Sequence, residues 1–442
     1  MGEAKANMSS VAEQLAHLRQ TVARIDQKYQ APALPRVPKM FIEELLSGEV
    51  VETALGQHFE TEKVWALHQR HGSFGIADLP DLAPDLLNAL ADGAIPHAPP
   101  ASWAFLDTET TGLAGGSGTY AFLVGIGSID ANGFRVRQFF MRDFNEEPSL
   151  FDSLTRYLER FDVLITWNGK SYDQPLLETR YRMCRAKHPF GRMQHLDLLH
   201  GARRLFKLRL EDCRLVRLEN EILGVERDED IPGELIPYCY FEYLRSRRAL
   251  RLVPVFVHNA IDILSLACLT GVIPEAFRDP DNAPAGHGAD LLGLARWLSV
   301  AGRLEQAWRV TRRAIGLGLA DQHLFRALHE AGLLEKRMGR FEEAVETFRD
   351  LTISPNPFRH KAWEELAKHY EHREKNFPLA LESARAARSH EVSAALENRI
   401  RRLEARCARL PVDLARGPGV KKSRAKAGTK SLRLPPTALP FL

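Results

Sequence analysis

The sequence predicts an α/β unit, a mixed sheet flanked by helices, followed by an all-α array of helical repeats. Three observations predict it. From residue 101 onward, three strand-like runs, WAFLDTET, YAFLVGIGSI and FRVRQFFMRDF, follow one another with only Gly- and Asn-containing turns between them. Helical and strand patterns then alternate as far as residue 275, the order that builds a sheet with helices on its faces. Beyond a stretch rich in Pro, Gly and Asp the pattern is wholly helical, and 302–314 aligns with 339–351, a shift of 37 residues.

The bounds set by composition are ordinary ones. A chain of 442 residues with 45% hydrophobic and 26% charged residues has room for two or three domains and is neither fibrous nor wholly disordered. Its net charge of +3 neither demands nor excludes a nucleic-acid partner, so local clustering must decide. The five cysteines, at 184, 213, 239, 268 and 407, form no CxxC pair. That argues against a zinc ribbon or a disulfide framework and fits a reducing cytoplasm. MGEAKANMSSVAEQ lacks the apolar segment of a signal peptide, and no apolar run is expected to approach the ~18 residues of a membrane span.

Taken in order, Val11, Leu15, Leu18, Val22 and Ile25 form a short heptad seam and predict a helix over 9–30 in the N-terminal segment 1–30, packed on its own protein or, as the alternative, pairing as a coiled-coil dimer. APALPRVP ends it, and 31–100 is an accessory segment without a readable function. The α/β unit occupies 101–275. In it SLFDSLTRYLERF reads as a helix, VLITWN as a buried strand, YDQPLLETRYRM as a helix with Pro175 near its start, and MQHLDLL as a further strand. A linker is predicted over 276–288 and helical repeats over 289–410. There Leu304, Phe341 and Phe377 correspond, as do Ala307, Ala344 and Ala380, small residues that let paired helices approach closely. The repeats resemble tetratricopeptide hairpins, somewhat longer than the usual ~34 residues. A basic tail, 411–442, has no acidic residue after Asp413 and reads as disordered.

The chemistry-bearing stretch is FLDTETTGL. Asp107 and Glu109, two apart on an apolar strand, project from one face. Neighbouring carboxylates repel, and a divalent cation with a taste for oxygen, magnesium or manganese, resolves that conflict. The bland alternative is an acidic edge strand. In TWNGKSYDQPLL, Asp173 reads alone as a helix cap and Asn168 as a turn former. In HNAIDILSL, His258 and Asp262 share one helix face, which alone is an ordinary surface pair.

Taken together, Asp-x-Glu, Asn-x-x-x-Tyr-Asp and His-x-x-x-Asp resemble the DEDD exonucleases of the ribonuclease H-like fold. DTETTGL, WNGKSYDQPLL, LEDCRLVRLENEILG, DIPG and HNAIDILSL look like the YprB-like branch. The resemblance implies a metal-dependent 3′–5′ exonuclease using two Mg2+ or Mn2+ ions. Asp107, Glu109 and Asp262 would hold the first ion, Asp107 and Asp173 the second, with the pair ~3.5–4 Å apart. His258 would act on the attacking water, and Thr108, Thr110, Asn168 and Tyr172 would contact substrate, a single-stranded 3′ end of DNA or RNA. One feature departs from the pattern: histidine-type members place the histidine five residues before the last aspartate, whereas His258 stands four before Asp262, the tyrosine-type register.

Weaker signals have bland counterparts. GKS at 169–171 lacks the glycine that a Walker loop needs at 164, where Leu164 stands. GLAGGSGTY, 112–120, runs into a strand and reads as a hairpin loop beside the site. Arg203, Arg204, Lys207, Arg209, Arg214 and Arg217 suit a solvated helix face or a phosphate-contacting surface. Asp197 is a candidate fifth acid, and His195 and His200 read as ordinary histidines. Two other functions compete: an interaction scaffold with an inactive nuclease-like domain, and a structure-specific endonuclease. The repeats suggest a protein partner.

Overall fold

The computed structural model describes residues 39–409 together with Ala16, Arg19 and Gln20, leaving out Asp92, 113–117, Glu229, 284–285 and 390–392. Most of the predicted 9–30 helix, the centre of the Gly-rich stretch and the basic tail 411–442 lie outside the described residues.

Seven strands form one sheet: β1 (Gly48–Thr53), β2 (Gly56–Ala66), β5 (Trp103–Thr110), β6 (Ala121–Asp130), β7 (Gly133–Phe140), β8 (Val163–Thr166) and β9 (Gln194–Asp197). Two short strands, β3 (Arg70–His71) and β4 (Phe74–Gly75), pair separately. The sheet order is β1-β2-β7-β6-β5-β8-β9. Pairing is antiparallel from β1 through β5 and parallel for β5–β8 and β8–β9, so β5 is the central hinge of a mixed sheet. The predicted strands all form. Segment 31–100, for which no role was read, supplies β1 and β2 and so extends the antiparallel edge of the same sheet. The alternation in GQHFETEKVWA carries that signal.

The helices of this unit are α1 (Glu147–Leu158), α2 (Asp173–Met183), α3 (Leu198–Phe206), α4 (Leu215–Leu218), α5 (Ile236–Ser246) and α6 (Val253–Arg278). They cover both faces of the sheet. Trp103, Phe105, Phe134 and Ile165 pack with residues of α6 and α3 on one face. Ala104, Leu106, Phe122 and Leu164 pack with α1, α2 and α5 on the other. The stretch Leu250–Arg278 is long enough for a membrane span and contains 18 consecutive residues of mean hydropathy 1.8, which corrects the expectation that no apolar run comes near that size. Of those 18 residues 67% are buried, the helix lies along the sheet, and a helix apolar on nearly all sides belongs in a core.

Three further helices, α7 (Gly288–Val300), α8 (Leu304–Gly316) and α9 (Asp321–Arg337), belong to the same compact unit, which runs to Gly339. Two boundaries therefore differ from the sequence reading. The predicted linker begins inside α6, which carries Pro274 and continues to Arg278. The helical array divides after Gly339, because Leu291, Leu294 and Leu298 of α7 share a core with Leu205 of α3.

The second unit contains α10 (Phe341–Ile353), α11 (Arg359–His372), α12 (Phe377–Arg388) and α13 (Ala394–Cys407). Leu304, Phe341 and Phe377 each open a helix, and Ala307, Ala344 and Ala380 are 0%, 3% and 0% exposed. Gly302 and Gly339, two residues before their helices, have φ of 79° and 81°, a conformation that glycine adopts without a Cβ penalty. The third repeat places Lys375 there at φ 52°. Glu371 of α11, wholly buried, accepts from Arg402 of α13 at 2.9 Å and also pairs with Arg399.

Overpacking the small position tests this arrangement. Ala344→Leu is expected to destabilise the second unit by ~1–3 kcal/mol, read as a lower denaturation midpoint of the helical signal.

Candidate active site

The alternation along β5 sends Trp103 and Phe105 into the core under α6, so Asp107 and Glu109 follow on that same face. The β5–β6 register shifts between Glu109 and Thr110, an irregularity of the kind that re-aims side chains at a strand end. Glu109 is 8% exposed and Asp107 half-buried. Asn259 of α6, fully buried, donates from Nδ2 to Asp107 Oδ2 at 2.8 Å, and its oxygen accepts from Gln138 Nε2 at 2.8 Å. Gly125 stands opposite Asp107 in the ladder, and a Cβ there would run into Asn259 Oδ1 and Ile263 Cδ1. The missing side chain is what admits Asn259 to the carboxylate.

Asp173 opens α2 from the opposite face of the sheet. It does not cap the helix: Tyr172 holds the cap position and makes no side-chain cap bond. Asp173 Oδ1 instead accepts from Thr108 Oγ1 at 2.5 Å, and the residue is 6% exposed. The turn before it is held by Asp197, which accepts from the backbone N–H of Asn168 at 2.9 Å and of Lys170 at 3.2 Å. Asn168 has φ 63°, a left-handed conformation that asparagine tolerates. Both Asp197 oxygens are thus spent on the chain itself, which makes it a structural acid. His195, held by Thr166 Oγ1 at 2.8 Å, is pushed down to about 4 by burial and by Lys170, and His200 is exposed.

Helix α6 brings the last two groups. His258 Nε2 lies 3.6 Å from Asp262 Oδ2, and His258 Nδ1 lies 2.7 Å from Asp230 Oδ1. Asp262 Oδ1 accepts from Arg227 Nη2. Arg227 and Asp230 escaped the sequence reading as individuals, although VERDEDIPG is an unusually charged turn and its DIPG was already noted. Of the residues expected to meet substrate, Thr108 donates to Asp173, while Thr110 and Tyr172 both donate to Gly112 O, at 2.9 and 3.1 Å. Those hydroxyls anchor the start of the Gly-rich stretch. Among the scattered cations, Arg209 is tied to Asp290 at 2.9 Å and Glu221 at 2.8 Å, whereas Arg203, Arg204, Lys207, Arg214 and Arg217 are exposed.

Residues 104–273, which carry every group just described, match the model of a family, RNase_H_2, placed in the RNase_H superfamily. A protein of Bacillus subtilis (strain 168), called uncharacterized protein YprB, is 33% identical over 362 residues, 79% of this chain and 84% of that one. The chain belongs to the YprB family, with an RNase_H-superfamily domain. A solved structure of TPR-like repeats from a Podospora anserina kinesin light chain covers 44% of this chain and 86% of its own at 16% identity, with a TM-score of 0.20, too low to bear on the fold.

In this YprB-family chain burial raises the proton affinity of Asp107, Glu109, Asp173 and Asp262, and at Asp107 and Glu109 the neighbouring carboxylates add to it. Burial pushes Asp107 well above the usual carboxylate range, and the charges of Asp262 and Asp173 push it further. Glu109 is raised likewise by burial and then by Asp107, Asp262 and Asp173. Burial carries Asp173 up to about 6 against the pull of Thr108. Asp262 is raised by burial although His258 and Arg227 pull it down. For His258 burial favours the neutral ring, but the bond to Asp230 and the charge of Asp262 outweigh it and raise its affinity for a proton.

With Asp230 and Glu219 added, six acids stand in one electrostatic neighbourhood against Arg227 and the ionisable His258. Among the described residues no three His, Cys, Asp or Glu side chains are closed around a single point, so the set is convergent but open. Its chemistry fits hard divalent cations: all donors are carboxylate oxygens. In three of them one oxygen is already held by Asn259, Thr108 or Arg227, as the outer partners of metal-binding groups do.

Two outcomes follow. Because the folded-state affinities of these carboxylates for protons exceed the unfolded ones, ionising them costs stability; for Asp173, raised to about 6, that cost is full above pH ~6 and is relieved toward pH ~4. In chelator, the melting temperature should therefore rise as pH falls from 7 to 5, and Asp107→Asn should raise it at pH 7. Gly125→Ala should displace Asn259 from Asp107 and lower Mn2+ affinity by roughly 10–100-fold, measured by titration calorimetry.

Proposed function

We propose that this chain is a metal-dependent 3′–5′ exonuclease hydrolysing phosphodiester bonds of nucleic acid. Membership of the RNase_H superfamily supports a nuclease as such. The observation that carries the finer reading is that elements far apart in sequence bring four carboxylates to one strand end: Asp107 and Glu109 on β5, Asp173 bonded to Thr108 between them, and Asp262 on the helix whose Asn259 bonds Asp107. The choice of a 3′ end, preferably single-stranded, rests on the resemblance to DEDD exonucleases.

Asp107, Glu109 and Asp262 would hold one Mg2+ or Mn2+, and Asp107 with Asp173 a second. When bound, such ions supply positive charge to the attacking and leaving oxygens of an in-line displacement. The chain's own groups do the rest. Asn259, Thr108 and Arg227 hold three carboxylates in fixed orientation. Asp230 accepts from His258 Nδ1, which leaves Nε2 as the face that orients or deprotonates water beside Asp262. Thr108, Thr110, Asn168 and Tyr172 frame the substrate end. The helical repeats recruit a protein partner or guide the nucleic acid.

The test is degradation of end-labelled single- and double-stranded DNA and RNA with manganese, magnesium or chelator, wild type beside Asp107→Ala. Stepwise shortening from the 3′ end, lost in chelator and in the variant, is expected. Internal cutting would make the protein an endonuclease, and binding without turnover on any substrate would make it a scaffold. His258→Tyr is expected to keep more activity than His258→Ala, since a tyrosine four residues before Asp262 suits the register; equal loss in both removes His258 from any water-positioning role.

A further inference from the structure

Arg227 is an unusual group to find beside a set of metal-binding carboxylates. Its side chain is only 9% exposed and belongs to no helix or strand. From behind, Glu219, 0% exposed, grips it with two oxygens, at 2.7 Å to Nε and 3.0 Å to Nη2. In front, Nη1 donates to Asp230 at 3.1 Å and Nη2 to Asp262 Oδ1. Glu219 is itself held: Ser265 of α6 donates to it, and His71 Nε2 lies 2.7 Å from Ser265 Oγ and 3.5 Å from Glu219. The chain of contacts runs from the β3–β4 hairpin, through Glu219 and Arg227, to the one site carboxylate that α6 supplies.

We propose that Arg227 is a positioning residue: anchored by Glu219, it fixes Asp262 and Asp230 together, so that Asp262 offers its second oxygen to the cation and Asp230 keeps Nε2 of His258 turned toward that oxygen. The inference rests on the exonuclease reading and deepens it. A planar guanidinium suits the task because its five donors lie in a fixed fork and reach three carboxylates at once. A lysine ammonium is a single point charge and reaches fewer of them. The geometry also gives the accessory segment a role. Ser73 N donates to Leu223 O at 2.7 Å, pinning the hairpin against the turn that leads from Glu219 to Arg227.

The test compares wild type with Arg227→Lys, Arg227→Met and the double variant Glu219→Gln/Arg227→Met. The double variant removes both buried charges, so loss of folding through an orphaned Glu219 does not obscure the result. For each, Mn2+ affinity is measured by calorimetry in the absence of substrate, and kcat and KM on an end-labelled single strand, with the melting temperature as a check on folding. Weakening of Mn2+ binding by roughly 10–100-fold is expected in Arg227→Met and in the double variant, with kcat falling more than KM rises, and partial recovery of both in Arg227→Lys. Unchanged Mn2+ affinity and kcat in a folded double variant overturns the proposal. Tighter Mn2+ binding overturns it too, because Arg227 would then compete with the cation rather than orient its ligand. A wild type that binds Mn2+ but cuts nothing removes the exonuclease reading and leaves the affinity comparison standing. A wild type that binds no Mn2+ brings down both.

Discussion

Glu109 and Asp107 sit two residues apart on a central strand, one buried and the other half-buried. Asp173 and Asp262 arrive at the same place from helices on opposite faces of the sheet. Burial raises the proton affinity of all four, and the charges of Asp262 and Asp173 add to it at Asp107, as those of Asp107, Asp262 and Asp173 do at Glu109. A fold does not accumulate such repulsion without compensation elsewhere. Here part of the compensation is visible as donors aimed at single oxygens: Asn259 on Asp107, Thr108 on Asp173, Arg227 on Asp262. These bonds fix direction more than they cancel charge, since two of the three donors are neutral.

The sheet makes that arrangement possible because β5 is its turning point. Antiparallel pairing on one side and parallel pairing on the other leave the carboxyl end of β5 between β6 and β8. Helix α6 crosses one face and α2 begins on the other, so residues of both reach the strand end. Small details of sequence serve this convergence. Gly125 leaves the space that Asn259 fills, and Asp197 ties down the turn from which Asp173 starts. Neither carries chemistry, yet a side chain at the first or a missing carboxylate at the second would move a group that does.

Much of this was legible from the sequence, for stated physical reasons. Apolar strand-like runs set off by Gly- and Asn-containing turns marked β5 to β7, the wholly apolar start of VLITWN marked β8, and the two-residue spacing of Asp107 and Glu109 put both on one face. Asp173 and Asp262 were recognisable through their surroundings, not through any local necessity. The unread parts are those that depend on distant contacts. Gly125 opposite Asp107 is a matter of strand register. Arg227 holding Asp262 spans 35 positions, across a turn whose run of charges gave no hint of which one points inward. The β1–β2 hairpin looked like mixed sequence because its exposed strand carries glutamates among its valines. The boundary of the first unit escaped for a similar reason: α7 follows the pattern of the helices after it but buries Leu291, Leu294 and Leu298 in the core before it.

The position of the accessory segment follows from the same constraint. Glu219 is a fully buried anion, and it remains ionised because Arg227, His71 and Ser265 all donate to it or stand against it; burial alone would push its proton affinity up, and these partners bring it below the ordinary value. His71 comes from the β3–β4 hairpin, outside the span that matches the RNase_H_2 model. Asp262 on α6 is therefore braced, through Arg227 and Glu219, by a residue that precedes the family domain in the chain. Segment 39–100 adds two strands to one edge of the sheet and a stop behind the site at another place. A version of the domain cut at residue 101 would keep all four site carboxylates and lose the support that holds the Arg227 clamp in place.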